Sequence, residues 1–162
     1  MKRIAGLGLM LGLALVQVTW APHLAVGGAF PNLVLVAVVG ITWAYGVRAG
    51  LAWACVGGVL LDLTASGAVG PHALALLAGA FATSLWARDL ERPTGVHLAV
   101  TAALATVLYS FALVVTYGVL GLPAPDAMTL VRLTVASAIF NAVLMPFAFE
   151  PFRRMREVPE PS

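Results

Sequence analysis

Charged residues are scarce in this sequence, and their scarcity argues against a soluble globular protein. Only 10% of the 162 residues are Asp, Glu, Lys or Arg, whereas 61% are hydrophobic, and the mean hydropathy is +0.98. A soluble domain carries about 25% charged residues and about 45–50% apolar ones. Because one small core cannot hide this excess, the composition predicts an integral membrane protein with no separate soluble domain.

Residues that support metal, redox or nucleophilic chemistry are also few. Cys55 is the single cysteine, which excludes a disulfide within the chain. His23, His72 and His97 lie far apart, without the spacing of metal ligands. The sequence has neither a GxSxG elbow nor a glycine-rich phosphate loop, and its basic residues form no nucleic-acid-binding patch. We therefore predict a protein that is not an enzyme and binds no cofactor, metal or nucleic acid.

Long apolar runs separated by Gly, Pro and charged residues predict an all-α, polytopic membrane protein. One domain, 1–152, is expected to hold six transmembrane helices, and a cytoplasmic tail, 153–162, is expected to be disordered. Pro31 is expected to open the second helix, and Pro146 to kink or end the sixth. The predicted helices cover about 4–20, 31–46, 49–64, 72–87, 97–119 and 128–149.

The basic residues predict how this bundle is oriented. Cytoplasmic loops of membrane proteins are enriched in Lys and Arg. With six spans, only Arg132 lies near the outer side, and both termini are predicted to be cytoplasmic. The basic residues on the cytoplasmic side are Lys2, Arg3, Arg48, Arg88, Arg92, Arg153, Arg154 and Arg156.

Three polar residues inside apolar spans are candidates for a structural or partner-binding role. Asp62 and Arg132 have similar predicted depths, so they either form an ion pair or reach the membrane boundary separately, Arg132 by snorkelling. Asn141 is predicted near the middle of the sixth helix, where an amide either bonds to a neighbouring helix or contacts a ligand or partner. Gln17, Thr101 and Thr106 are weaker candidates of the same kind.

Two further groups of residues are candidates for contacts. Small residues on exposed helix faces, Gly46 with Gly50 and Ala54 with Gly58, would let a partner's transmembrane helix approach closely. The tail arginines either attract anionic lipid or an acidic partner, or simply flank the last helix. The candidate packing glycines are Gly46, Gly50, Gly57, Gly58 and Gly70, and the arginines are Arg153, Arg154 and Arg156.

Several short motifs resemble the rod-shape-determining MreD family. They are PNL at 31–33, RAG at 48–50, GGVLLDL at 57–63, GPHALAL at 70–76, and Asn141 followed by Pro146 in the last helix. The resemblance covers nearly the whole chain. The positions that match the family are Pro31, Asn32, Asp62, Gly70, His72 and Asn141.

The resemblance implies a non-enzymatic, multi-pass protein of the bacterial inner membrane that supports rod shape and lateral peptidoglycan synthesis. It implies MreC as the direct partner, and MreB, RodA and a class B penicillin-binding protein as partners through the complex. It also implies a fold similar to the S components of energy-coupling-factor transporters. A substrate-binding S component of a vitamin transporter, or another small transporter, is therefore the alternative. The positions that match the MreD family also imply that polar residues near the outer ends of helices three, four and six line a groove or pocket for a partner helix or a lipid.

Overall fold

Six α-helices make up the computed structural model, which describes residues 2–19, 23, 28–64, 68–87 and 93–157. This part of the chain contains no β-strand, so the prediction of an all-helical fold is confirmed for it. The helices are α1 (Lys2–Thr19), α2 (Leu33–Tyr45), α3 (Val47–Thr64), α4 (Pro71–Ala87), α5 (Gly95–Val119) and α6 (Ala127–Glu157).

Helix α2 is the centre of the bundle. Its sequence, LVLVAVVGITWAY, is apolar on every side, as expected of a helix that is enclosed by others. Every residue from Val34 to Ala44 is buried, and α2 packs against each of the other five helices. With 13 residues, it is about 20 Å long at 1.5 Å per residue, which is shorter than a bilayer core of about 30 Å.

The outer helices expose apolar side chains. Helices α3 and α5 and the Ala127–Arg154 part of α6 are long and apolar enough to cross a membrane, whereas α2, α4 and residues 6–19 of α1 are apolar but shorter. Helix α1 packs only against α2 and α3. On α6 the exposed apolar residues recur every three or four positions and therefore share one face: Met128, Val131, Val135, Ile139, Val143 and Phe147.

The prolines do not begin or end the helices at the positions that the sequence predicted. Pro31 precedes α2, because Asn32 takes the N-cap and its side chain accepts the N–H of Leu35. Pro71 is instead the first residue of α4. Helix α6 continues through Pro146 and Pro151 to Glu157, eight residues beyond the predicted end at 149. The first five residues of the predicted disordered tail, 153–157, are therefore helical, and 158–162 lie outside the described residues.

Glycines bring α3 close to its neighbours inside the molecule. A Cβ on Gly57 would lie 2.7 Å from Val34 Cγ1 of α2, and one on Gly58 would overlap the backbone of Ala73 in α4. Gly50 faces Thr42 of α2 in the same way. Gly50, Ala54 and Gly58 are thus buried within the bundle, contrary to the expectation that they lie on a face open to a partner helix.

Gly46 and Gly70 have a different role, because both lie in turns. Gly46 joins α2 to α3 with a φ of +86°, and Gly70 precedes α4 with a φ of +125°. Residues with a side chain rarely adopt these conformations. A Cβ on either glycine would meet nothing within 4 Å, so backbone conformation, rather than packing space, favours glycine there.

Candidate functional site

The polar residues of the apolar helices collect at one end of the bundle. This end, which we call the cavity end, is formed by the last residues of α1 and α3, the second half of α5, and the first residues of α2 and α4 with the first half of α6. Consecutive helices therefore run in alternating directions. The cavity end also holds the N-termini of α2 and α4, whose first N–H groups have no acceptor within their own helices.

Asp62 of α3 caps the N-terminus of α4. Its Oδ1 accepts the N–H of His72 at 2.9 Å, and its Oδ2 accepts those of Gly70 at 2.8 Å and Ala73 at 3.3 Å. Asp62 is only 2% exposed. A helix N-terminus carries a partial positive charge, so the end of α4 is the partner that this buried carboxylate requires.

Arg132 is not that partner. No ion pair joins it to Asp62 among the described residues, and its side chain is exposed at the start of α6. The two charges are therefore separate, but Asp62 is buried in the α4 cap instead of reaching the membrane boundary as the second alternative expected. The nearby Asp126 accepts the N–H of Thr129 at 3.0 Å, and hydrogen bonding with Thr129 holds the pKa of the Asp126 carboxyl below its usual value.

Asn141 connects three helices. Its Oδ1 accepts the N–H of Asn32 at 2.8 Å, just before α2, and its Nδ2 donates to Thr106 Oγ1 of α5 at 2.9 Å. The Thr106 hydroxyl donates in turn to the carbonyl of Ala102 at 2.7 Å. Asn141 is fully buried, and both ends of its amide are engaged. Asn141 thus joins helices through its side-chain amide, which is the first of the two roles predicted for it, a bond to a neighbouring helix.

Gln17 of α1 completes the N-terminus of α2. Its Oε1 accepts the N–H of Val34 at 3.1 Å, and the side chain is 8% exposed. Together with Asn32 and Asn141, it supplies the acceptors that the start of α2 lacks. The ends of two helices are therefore capped largely by side chains from other helices, which fixes the bundle at this end.

His72 and Tyr109 form a pair between α4 and α5. The Nδ1 atom of His72 lies 2.7 Å from the Tyr109 hydroxyl, and the rings are nearly parallel, with centroids 6.1 Å apart. The backbone N–H of His72 is held by Asp62. His72 therefore links the α4 cap to α5.

A cavity of about 390 Å³ lies among these residues. Seven of the side chains that line it are polar, none is charged, and the rest are apolar or glycine. The polar ones are Gln17, Asn32, His72, Thr106, Tyr109, Ser110 and Ser137. Its lining can form hydrogen bonds but offers no counter-charge for an ionic ligand.

The candidate arginines lie at the opposite end of the bundle. Arg153 and Arg154 both pair with Glu150, with nitrogen–oxygen distances of 2.8 Å, on the exposed last turns of α6. The side chain of Arg156 lies outside the described residues. Glu150 thus neutralises part of the positive charge by which these arginines were predicted to attract anionic lipid.

Four of the polar residues predicted from the sequence lie together at the cavity end: Asn32, Asp62, His72 and Asn141. Arg132, which was also predicted, does not contribute to this group. The contributions of Tyr109, Ser110 and Ser137 were not predicted. The sequence signal for these three residues was that each is a polar residue in a predicted apolar helix, at a depth between those of Asp62 and Asn141. Taken alone, however, a hydroxyl within an apolar helix usually bonds to its own backbone, as Thr42 does.

The arrangement is suited to binding and to holding helices together. Among the described residues, no group of three or more His, Cys, Asp or Glu side chains is placed to hold a metal ion. Comparisons of the chain with protein-family models, curated proteins and solved structures give no match.

Proposed function

We propose that this chain is a non-enzymatic, six-span component of the bacterial inner membrane that works by binding MreC in the cell-elongation complex. Through MreC it would act with MreB, RodA and a class B penicillin-binding protein in lateral peptidoglycan synthesis and rod shape. Both termini would lie in the cytoplasm, which places the cavity end toward the periplasm.

The observation that carries the proposal is that the motifs behind the resemblance form one structural unit. GGVLLDL supplies Gly58 and Asp62, and GPHALAL supplies the backbone that both of them contact. The motif residues thus depend on one another physically, as residues of a shared fold would. The exposed apolar face of α6 leaves a surface on which the single transmembrane helix of a partner can pack.

Affinity purification from native membranes in a mild detergent tests the proposal. We expect MreC to be recovered in near-stoichiometric amounts, and we expect Val135→Trp with Ile139→Trp on the exposed α6 face to reduce its recovery. Leu104→Trp, on the exposed face of α5, is the matched control. If MreC is absent from the wild-type sample while the protein stays folded, the proposal is wrong.

A second candidate, a substrate-binding S component of a vitamin transporter, is favoured by the cavity with its seven polar side chains. The same purification separates the two functions. An S component would bring down an ATPase module and a bound small molecule, whereas the elongation component brings down MreC.

A further inference from the structure

We propose that the cavity binds the glycerol-ester segment of a membrane phospholipid through uncharged hydrogen-bond donors. This proposal does not depend on which protein the chain binds. It rests on unused donors inside the cavity, on the absence of charge in its lining, and on its position beside an apolar surface.

Two hydrogen-bond donors in the cavity lining, the NH₂ group of Gln17 and the hydroxyl of Ser110, are available to a bound molecule. The Gln17 amide is oriented by its Oε1, which accepts the N–H of Val34, so its NH₂ group is the free end. Within the described part of the chain, neither that NH₂ group nor the Ser110 hydroxyl makes a hydrogen bond to the protein, although both side chains line the cavity. Both groups are open to the cavity rather than fully buried, because among the described residues Trp43 Nε1 is the one buried side-chain polar atom without a hydrogen-bond partner. They can therefore donate to an acceptor on a bound molecule.

The uncharged lining selects the class of acceptor. A phosphate or carboxylate in such a site would lack a cationic partner, and burying an unpaired charge is strongly unfavourable. An ester carbonyl accepts hydrogen bonds without charge. In a bilayer, the ester carbonyls lie at the boundary between hydrocarbon and headgroups, and the six-span arrangement proposed above would bring the helix ends at the cavity end to that boundary.

The surroundings of the cavity favour a lipid over a water-soluble molecule. Val18 of α1 and Leu133 of α6 both line it, yet α1 and α6 do not pack against each other. The exposed apolar side chains of Val18, Val131 and Val135 lie on these two helices near the cavity end. An acyl chain can therefore extend from the cavity along the outside of the protein. A volume of about 390 Å³ holds a segment of a phospholipid, since sites for drug-sized ligands measure about 300–1,000 Å³.

Photolabelling of the full-length protein tests the proposal. The protein is reconstituted in vesicles of diether phosphatidylethanolamine and diether phosphatidylglycerol that contain a trace of diacyl phosphatidylcholine with a diazirine near the ester. We expect peptides from the cavity lining to be labelled above the exposed apolar side of α5 that contains Val100 and Leu104. Added diester lipid should compete for the cavity label roughly fivefold better than its diether analogue, because the ether oxygen is a weaker acceptor.

Two variants test the donors separately. Ser110→Ala removes a hydroxyl that bonds to nothing described in the protein, so it should weaken cavity labelling while the thermal unfolding temperature stays unchanged. Gln17→Met should weaken labelling further, although it also removes the acceptor of the Val34 N–H. Ser84→Ala, at the other end of α4, is the control and should change neither quantity. Uniform labelling of the apolar surface, equal competition by diester and diether lipids, or a co-purified soluble molecule that blocks labelling would each overturn the proposal.

Discussion

The amide of Asn141 meets two requirements at once, since it accepts the N–H of Asn32 and donates to Thr106. Replacement by an apolar residue of similar size leaves the buried Asn32 N–H without an acceptor, and it removes the donor to the Thr106 oxygen, although the Thr106 hydroxyl keeps its bond to Ala102. Because Asn141 is fully buried, water cannot reach the site to replace the hydrogen bonds that are lost. Asn141 therefore stabilises the fold through the hydrogen bonds that it makes to two other helices.

We expect Asn141→Leu to lower the free energy of unfolding by about 2 kcal/mol, measured in mixed detergent micelles. Thr106→Val removes the second partner, and a double-mutant cycle should give a coupling energy of about 1 kcal/mol between the two sites. Thr116→Val is the control, because the Thr116 hydroxyl bonds only to Ala112 of its own helix. A coupling of zero for Asn141 with Thr106 would contradict the observed hydrogen bond.

Asp62 allows a graded test of the α4 cap. Asp62→Ala removes the acceptor of three backbone N–H groups, so we expect a loss of about 3 kcal/mol in unfolding free energy. Asp62→Asn keeps one acceptor oxygen and should lose less. The exposed Asp126→Asn serves as the comparison. Equal effects of the alanine and asparagine variants at 62 would indicate that the negative charge alone, rather than the number of hydrogen bonds, stabilises α4.

The helices themselves were predictable, but their partners were not. Apolar runs ending at Gly, Pro and charged residues located six helices to within about three residues at most ends, because local sequence largely decides where a helix begins and ends. The enclosure of α2 by five helices depends on contacts distant in sequence, whereas Asp62 lies only 8 to 11 positions from the residues of the α4 cap. Asn32 and Asn141, by contrast, are 109 positions apart. The predicted end of α6 at 149 was wrong, because the helix continues through Pro146 and Pro151 and into the charged tail as far as Glu157.

The close packing of α3 against α4 at Gly58 predicts how the protein responds to glycine substitutions. We expect Gly58→Ala to destabilise the protein strongly, because its Cβ would meet the backbone of Ala73, which cannot move without shifting α4. Gly8→Ala in α1 has nothing within 4 Å of the new Cβ and should be neutral or stabilising by up to about 1 kcal/mol. Thermal unfolding in detergent measures both. A large effect at Gly8 would show that α1 uses this glycine in a contact with another molecule.

The orientation of the whole molecule can be tested with single cysteines in a Cys55→Ser background. The alternating helices place Ala124, between α5 and α6, at the cavity end. With both termini in the cytoplasm, Ala124→Cys should react with a membrane-impermeant maleimide in intact spheroplasts, whereas Ser162→Cys should react only after permeabilisation. The reverse pattern would invert the proposed topology and place the cavity in the cytoplasmic half of the membrane.

The hydrogen bond from Asn32 to Asn141 also sets an order of events during synthesis. When Asn32 is translated, the residue that will accept its N–H is still 109 codons away. In a membrane protein of the kind proposed above, the insertion machinery would have to shelter an incomplete helix end and a partly surrounded central helix until α6 is made. Nascent chains that stop before residue 141 should therefore remain bound to the insertase or be degraded, and a stable five-helix intermediate should not accumulate.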